Sequence, residues 1–400
     1  MTSADGDVAR TIGFDGSRLT GRPLTGTETY SFELLRRLAS IAEPGELVVY
    51  LNDRVVPAEM PEGPFYRPIA QQRLWTHTRL AREVQAHPPG ALFVPAHVIP
   101  IRHPKSVVTI HDIAYRAVPK VFSRKERKEL DSATRWNCRA AEHLIAVSQQ
   151  TRSDLIDQYG IDPARVSVIY HGVDSRFRAP STSEQDVLRE RYGLHRPYIL
   201  TLGTLHRRKN LDTTIRAFEV LRDRGHDIDL VLAGAAGPAA DAVKRLAEAS
   251  PHSSSIRLPG YVPLEDVPAL YGTSDLFMLL SWYEGFGLPA LEAMACGAPV
   301  VAAGSGALPE VCGPAARFAA PGDLEEVITV AEATLTSSDT RQRMIDAGRV
   351  WSGRFTWERA ARTTLRVLRA VRDGEDLRGD SLGWSEAAMA FLSRELEQTG

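Results

Sequence analysis

The stretch SWYEGFGLPALEAMACGAPVVA, residues 281–302, holds a strand end, a glycine turn, a helix and a second strand start. The run before it, DLFMLLS (275–281), reads as a buried strand, and Pro289 suits the first helical position, where its missing N–H costs nothing. The helix runs through Ala290–Ala295 and stops at Cys296-Gly297-Ala298-Pro299, ahead of PVVAA (299–303). A strand, turn, helix and strand in series predict a parallel sheet covered by helices. Ligands of such sheets bind beyond the carboxyl ends of the strands, where WYEGFG falls. Its glycines let a ligand approach the backbone, and the N–H groups at the helix start attract phosphate. Two acids flank this turn, Glu284 in the loop and Glu292 in the helix. Carboxylates accept hydrogen bonds from vicinal hydroxyls, so the pair suits two sugars flanking one phosphate group. The plainer reading makes Glu292 a favourable acid in a first helical turn and Glu284 a solvated loop residue.

The same alternation runs along the chain. Further strand candidates are LVVYL (47–51), ALFVP (91–95), SVVTI (106–110), HLIAVS (143–148), VSVIY (166–170), YILTLG (198–203) and IDLVLAG (228–234). Helical patterns such as TYSFELLRRLASIA and NLDTTIRAFEVLRDRG lie between them. Residues 174–194 break the series with a polar Pro/Ser/Thr patch and no strand. The expected organisation is therefore an N-terminal Rossmann-like domain over 1–175, a linker over 176–194 and a C-terminal Rossmann-like domain over 195–354. An amphipathic helix over 355–372 and a charged tail over 373–400 follow. No sequence repeat relates the two halves.

The chain has 400 residues, 43% hydrophobic and 24% charged, which fits a globular protein of two domains. A net charge of -2 gives no overall field for nucleic acid, so phosphate contacts must come from local basic patches. No apolar run approaches the roughly 18 to 20 residues that span a bilayer, and MTSADGDVAR has no apolar signal core. Cys138, Cys296 and Cys312 are odd in number and widely spaced, without zinc spacing. A cytoplasmic location is expected. The charged run SRKERKE (123–129) is either a solvated helix face or a peripheral contact with anionic lipid at the inner face of the membrane.

Three other segments carry candidate chemistry. LGTLHRRKNLDTTIRAF (202–218) follows a strand and opens a helix, with Asn210 or Asp212 available as caps. Its Arg207, Arg208 and Lys209 suit a diphosphate, bidentate through Arg and as a point charge through Lys. His111 ends the strand SVVTI with Asp112 beside it, placed to hydrogen-bond a substrate hydroxyl or to be a satisfied core histidine. GFDGSRLTGRPLTGTETYSFELL (13–35) starts like a strand and then carries Gly26 at a helix entrance, open to a phosphate or an acceptor, but has no G-x-G-x-x-G. Asp227-Ile228-Asp229 has the spacing of a metal-binding D-x-D, yet it precedes its strand and so sits at the wrong edge of the sheet.

Glu284-x7-Glu292 within EGFGLPALEAMACGAPVVA, with SGALPEV after it, resembles the donor site of the retaining glycosyltransferases of family 4. GTLHRRKN, IYHGVDSRF, AVSQQTRSDL and VTIHDIAY extend the resemblance over about residues 10–372. It implies an α/β chain of GT-B fold, two Rossmann-like domains facing each other across a cleft. It also implies a metal-independent hexosyltransferase with no cofactor beyond its nucleotide-diphosphate sugar. Glu284 would then bind donor-sugar hydroxyls near the N–H groups of Gly285, Phe286, Gly287 and Leu288, and Glu292 the ribose. Arg208 and Lys209, beside Gly203, would hold the diphosphate, His111 would sit by the reacting sugar, and Gly26 would face acceptor and phosphate. Thr204 stands where some relatives carry an arginine; this form resembles a mannosyltransferase-rich subset and tilts the donor to GDP-mannose. UDP- or dTDP-linked glucose or rhamnose is the nearest alternative. The acceptor is expected to be a glycan or lipid-linked saccharide. An epimerase or phosphorylase-like enzyme would need an acid/base pair or a cofactor lysine, and a non-catalytic binding protein would be expected to lack one of Glu284, Arg208, Lys209 or His111.

Overall fold

The computed structural model describes residues 10–19, 26–70, 74–96 and 98–377. Most of the predicted tail, 378–400, and part of the N-terminal glycine loop, 20–25, lie outside these. The described chain forms two compact units, one up to Gly172 with a return segment from Thr356, the other Val173–Phe355.

The first unit carries β1 (Ile12–Asp15), α1 (Gly26–Ile41), β2 (Leu47–Leu51), β3 (Phe65–Pro68), β4 (Ala91–Val94) and β5 (Ser106–Ile110). It continues with α2 (Arg124–Ala140), β6 (His143–Ala146), α3 (Gln149–Tyr159) and β7 (Val166–Val168). All strands pair in parallel, in the order β3-β2-β1-β4-β5-β6-β7, so the order reverses between β1 and β4. Central strands are buried at every position because helices cover both faces, which is why one such as β4, ALFV, reads as an unbroken apolar run.

The second unit opens with α4 (Thr182–Tyr192) and β8 (Tyr198–Leu202), then α5 (Leu211–Asp223), β9 (Asp229–Ala233), α6 (Ala240–Ala249) and β10 (Ile256–Gly260). After β11 (Leu276–Leu279) come α7 (Leu288–Cys296), β12 (Val300–Ala303), β13 (Arg317–Ala319), α8 (Leu324–Thr336) and α9 (Ser338–Ser352). Its parallel sheet runs β10-β9-β8-β11-β12-β13, reversing between β8 and β11. The expected linker helix is α4, opened by a capping box on Ser181 and Glu184. It folds as part of this unit: Leu188 is buried, and Arg191 and the Tyr192 hydroxyl both bond Asp266.

The last helix, α10 (Trp357–Asp373), returns to the first unit. Trp357, Ala361, Leu365 and Leu368, three or four residues apart, enter the core formed by Phe14, Leu34 and Phe93. Arg369 grips Glu46 in a bidentate pair at 2.7 Å, and Arg372 adds a contact at 2.9 Å.

Three strands have no counterpart in the sequence reading: β3, β10 and β13. Each is at a sheet edge and only part-buried, so none shows the apolar run that marks a central strand. The helix after the opening glycine turn starts one residue earlier than the pattern indicated, putting Pro289 second.

Candidate active site

Strands β8 and β11 are neighbours at the reversal of the second sheet, so the loops leaving their carboxyl ends, 203–210 and 280–287, meet at the switch point. The Trp282 N–H donates to the Arg208 carbonyl at 2.9 Å and ties them together. The basic triplet forms one 3-10 turn, Arg207–Lys209, capped by His206 Nδ1 accepting from the Arg208 N–H. Asn210 follows in the left-handed region; its side chain caps no helix N–H, donating instead to the Pro321 carbonyl and accepting from Thr213. Gly203, with φ of 145°, leaves room for Lys209, whose Nζ lies 3.6 Å from where a Cβ would stand.

The cations and Glu284 are brought into direct contact. Lys209 Nζ donates to Glu284 Oε1 at 2.8 Å and Arg208 Nη1 to Oε2 at 2.5 Å. The Ser281 hydroxyl also donates to Oε1, at 2.6 Å, and Arg208 Nη1 reaches the Tyr283 carbonyl at 2.7 Å. Burial alone would raise the Glu284 carboxyl, but Arg208 and Lys209 outweigh it and hold it at about 2. Its backbone is fixed as well, since the Ala307 N–H donates to the Glu284 carbonyl and a side chain on Gly306 would strike that carbonyl. Phe286 packs on Phe355 and Gly287 sits left-handed against Leu308, so this loop turns its side chains inward.

Glu292 has the opposite environment. It is buried in α7, and the hydroxyl of Tyr271 donates to it at 3.2 Å. Burial pushes its carboxyl up to about 8, against the weaker pull of Tyr271 and Arg176 and with Asp174 adding to the rise. Asp174 and Arg176 belong to the HGVDSRF segment and pair with each other at 2.9 Å. The residues that hold the two glutamates, Ser281 and Tyr271, carried no signal in the sequence, since neither type marks a site alone.

In the first unit, His111 follows β5, and Nε2 donates to the Pro95 carbonyl at 2.9 Å. A carbonyl only accepts, so the neutral ring carries its proton there and Nδ1 is an acceptor. Burial lowers the His111 pKa, partly countered by Pro95 and Asp112, which keeps the ring neutral. The Tyr30 ring meets it edge-on at 4.8 Å, and His171, also buried, lies at 5.7 Å. Gly26 is the exposed first residue of α1, and a Cβ there would meet nothing within 4 Å. Asp15, at the carboxyl end of β1, is fully buried and raised to about 6 by that burial.

Both aspartates of the D-x-D segment are paired with arginines. Asp227 pairs with Arg196 and Arg222, and Asp229, the first residue of β9, with Arg196 and Arg257. Among the described residues no group of three or more His, Cys, Asp or Glu is arranged to hold a metal ion. No helix of the described residues is long and apolar enough to cross a membrane.

Residues 184–351 match Glycosyl transferases group 1 and residues 24–177 match Glycosyltransferase Family 4, the two together spanning both units. The chain belongs to the family 4 glycosyltransferases. It is 29% identical over 369 residues to O-antigen chain mannosyltransferase B of Escherichia coli, across 87% of this chain and 97% of that one. Sucrose-phosphate synthase from Thermosynechococcus elongatus shares the fold at a TM-score of 0.75 and 17% identity, across 92% of this glycosyltransferase and 100% of that chain. HepE of Anabaena, solved in complex with UDP and glucose, superposes at a TM-score of 0.72 with 22% identity, across 90% and 100% of the two chains. The expected GT-B architecture of two Rossmann-like units is the observed one, and the glycosyltransferase is of the hexosyl-transferring class.

Proposed function

We propose that this glycosyltransferase moves mannose from GDP-mannose, with retention of configuration and without a metal ion, onto a glycan or lipid-linked saccharide in polysaccharide biosynthesis. The observation that carries the reading is the convergence of Arg208 and Lys209 with the glycine turn and helix start at the β8/β11 switch point. Two fixed cations and helix N–H groups suit the diphosphate of a nucleotide sugar, and they supply the charge stabilisation that a metal ion provides in other transferases. As the bond from the anomeric carbon to the phosphate oxygen breaks, its electron pair goes to that oxygen, where Arg208 and Lys209 stabilise it. The acceptor hydroxyl attacks the same face of the sugar and its proton passes to the leaving phosphate. His111, neutral with Nδ1 as acceptor, takes a hydrogen bond from a sugar hydroxyl, and Glu292 serves the ribose. The relative named a mannosyltransferase favours mannose. A UDP-linked hexose is the second reading, favoured by the UDP and glucose in the HepE complex.

The test is calorimetric titration of the purified chain with GDP-mannose, UDP-glucose and dTDP-rhamnose, then turnover of the bound donor with glycan acceptors, with and without EDTA. Binding and EDTA-resistant transfer from GDP-mannose support the reading; transfer from another donor alone moves it to the second. Peripheral attachment belongs to the same proposal, through exposed Arg124, Arg127 and Lys128 at the start of α2. Co-sedimentation with phosphatidylglycerol vesicles, but not phosphatidylcholine vesicles, checks it.

A further inference from the structure

Both cations meant for a diphosphate are already engaged, by a carboxylate of the same unit. Lys209 Nζ and Arg208 Nη1 each contact a different oxygen of Glu284, and the Ser281 hydroxyl shares the oxygen used by Lys209. The side chains of Lys209 and Glu284 are 12% and 9% exposed, so water screens this pair little. Held at about 2, the carboxyl is ionised at any physiological pH.

We propose that Glu284 is an internal counter-anion that competes with the diphosphate for Arg208 and Lys209, so that the enzyme discriminates its sugar-bearing donor from the bare nucleoside diphosphate it releases. Carboxylate and phosphate oxygens are equivalent acceptors for guanidinium and ammonium groups. The two cations outnumber the single carboxylate, and a diphosphate, with the larger charge, can displace it. Pinned at its backbone by Ala307 and Gly306, Glu284 can yield only by rotating its side chain. A displaced, buried carboxylate is costly unless new donors meet it. The hydroxyls of the transferred hexose supply those donors; a bare nucleoside diphosphate, whose ribose is assigned to Glu292, has no hexose to supply them. Once the sugar has been transferred, Glu284 loses its hydroxyl partners and returns to the cations, which weakens the hold on the product. Glu292 cannot act this way, because its hydrogen bond comes from the neutral Tyr271 hydroxyl and burial keeps it protonated at neutral pH.

This inference rests on the donor-site reading, and Glu284→Gln tests it separately. Glutamine keeps the shape but has one oxygen and no charge, so it cannot neutralise both cations. Full-length wild type and Glu284→Gln are titrated with GDP, UDP, the matching nucleotide sugars and inorganic pyrophosphate, with circular dichroism confirming the fold. The expected result is nucleoside-diphosphate binding at least tenfold tighter in Glu284→Gln, with the nucleotide sugar not tightened. Pyrophosphate should raise the Tm of the variant more than that of wild type. Ser281→Ala, which loosens Glu284 without removing it, should tighten the nucleoside diphosphate by a smaller factor. Unchanged or weaker nucleoside-diphosphate binding in folded Glu284→Gln overturns the counter-anion role while leaving the donor site standing. Wild type that binds no nucleotide and no nucleotide sugar overturns both.

Discussion

The indole of Trp357 is stacked on the imidazole of His171, with ring centroids 5.7 Å apart and planes inclined by 24°. Trp357 is the first residue of α10, and His171 follows β7, so the contact joins the point where the chain leaves the first unit to the point where it returns. Tyr30 lies 4.8 Å from His171 and 4.8 Å from His111, which continues the row of rings to the candidate histidine. Gly172 is part of the same contact, because a side chain there would collide with the Trp357 backbone.

Trp357→Ala removes the largest side chain of this row from a fully enclosed position. A loss of about 3–5 kcal/mol is expected, the usual cost of such a truncation in a core. Urea unfolding followed by tryptophan fluorescence and circular dichroism measures it. A change below about 1 kcal/mol would show that α10 contributes little to this core.

Lys209→Ala deletes one of the two charges assigned to the leaving diphosphate. Turnover should fall by about 10²- to 10³-fold, as for a lost donor to a developing oxyanion. Steady-state kinetics with whichever donor is turned over decide this, and kinetics equal to wild type would remove Lys209 from the proposed role.

Glu292 makes donor-free stability depend on pH in a known direction. Its carboxyl titrates near the ordinary 4.5 in the unfolded chain and at about 8 in the fold. Between those values the fold retains a proton that the unfolded chain has released, so this group's effect is a stability that declines as pH rises. Glu292→Gln abolishes the dependence. The variant's Tm relative to wild type should therefore be higher at pH 8.5 than at pH 5; an equal difference at both would sink the idea.

The buried histidines act in the opposite sense. Burial lowers His111 and His171, and burial with Arg165 lowers His143 to about 4. Below about 6.5 the unfolded chain takes up protons that the folded rings refuse, so stability falls with acidification. His143, bonded to Ser167 at 2.8 Å, lies apart from the candidate site. His143→Gln should flatten the decline in urea stability between about pH 6.5 and pH 4, and an unaltered slope would count against this account. Activity limited by protonation of His111 should likewise show an acid limb below about 6.5 in kcat/KM, absent in His111→Asn.

Much of the fold was legible because central parallel strands are buried on both faces and cannot hide their apolar runs. The edge strands β3, β10 and β13 were not, because pairing on one side lets exposed and polar residues such as Arg67, Arg257 and Arg317 enter. The amphipathic face of α10 was readable in Trp357, Ala361, Leu365 and Leu368, but amphipathicity says only that a face is buried. That it enters the core of Phe14 and Phe93 depends on the chain's return to the first unit.

The sequence by itself determined the alternation of strand and helix, and with it the placing of Glu284, Arg208, Lys209 and His111 just past strand ends. Those are local matters, set by periodicity, turn residues and the length of each element. Only the tertiary structure decided what the two glutamates of EGFGLPALE are electrically. Glu284 is held ionised at about 2 because Lys209, 75 residues earlier, lies on it with Arg208. Glu292 is pushed to about 8 because burial strips it of water, against only the weaker pulls of the Tyr271 hydroxyl and Arg176. Identical side chains eight positions apart take opposite charge states at neutral pH, since a carboxyl's ionisation follows the groups the fold packs around it.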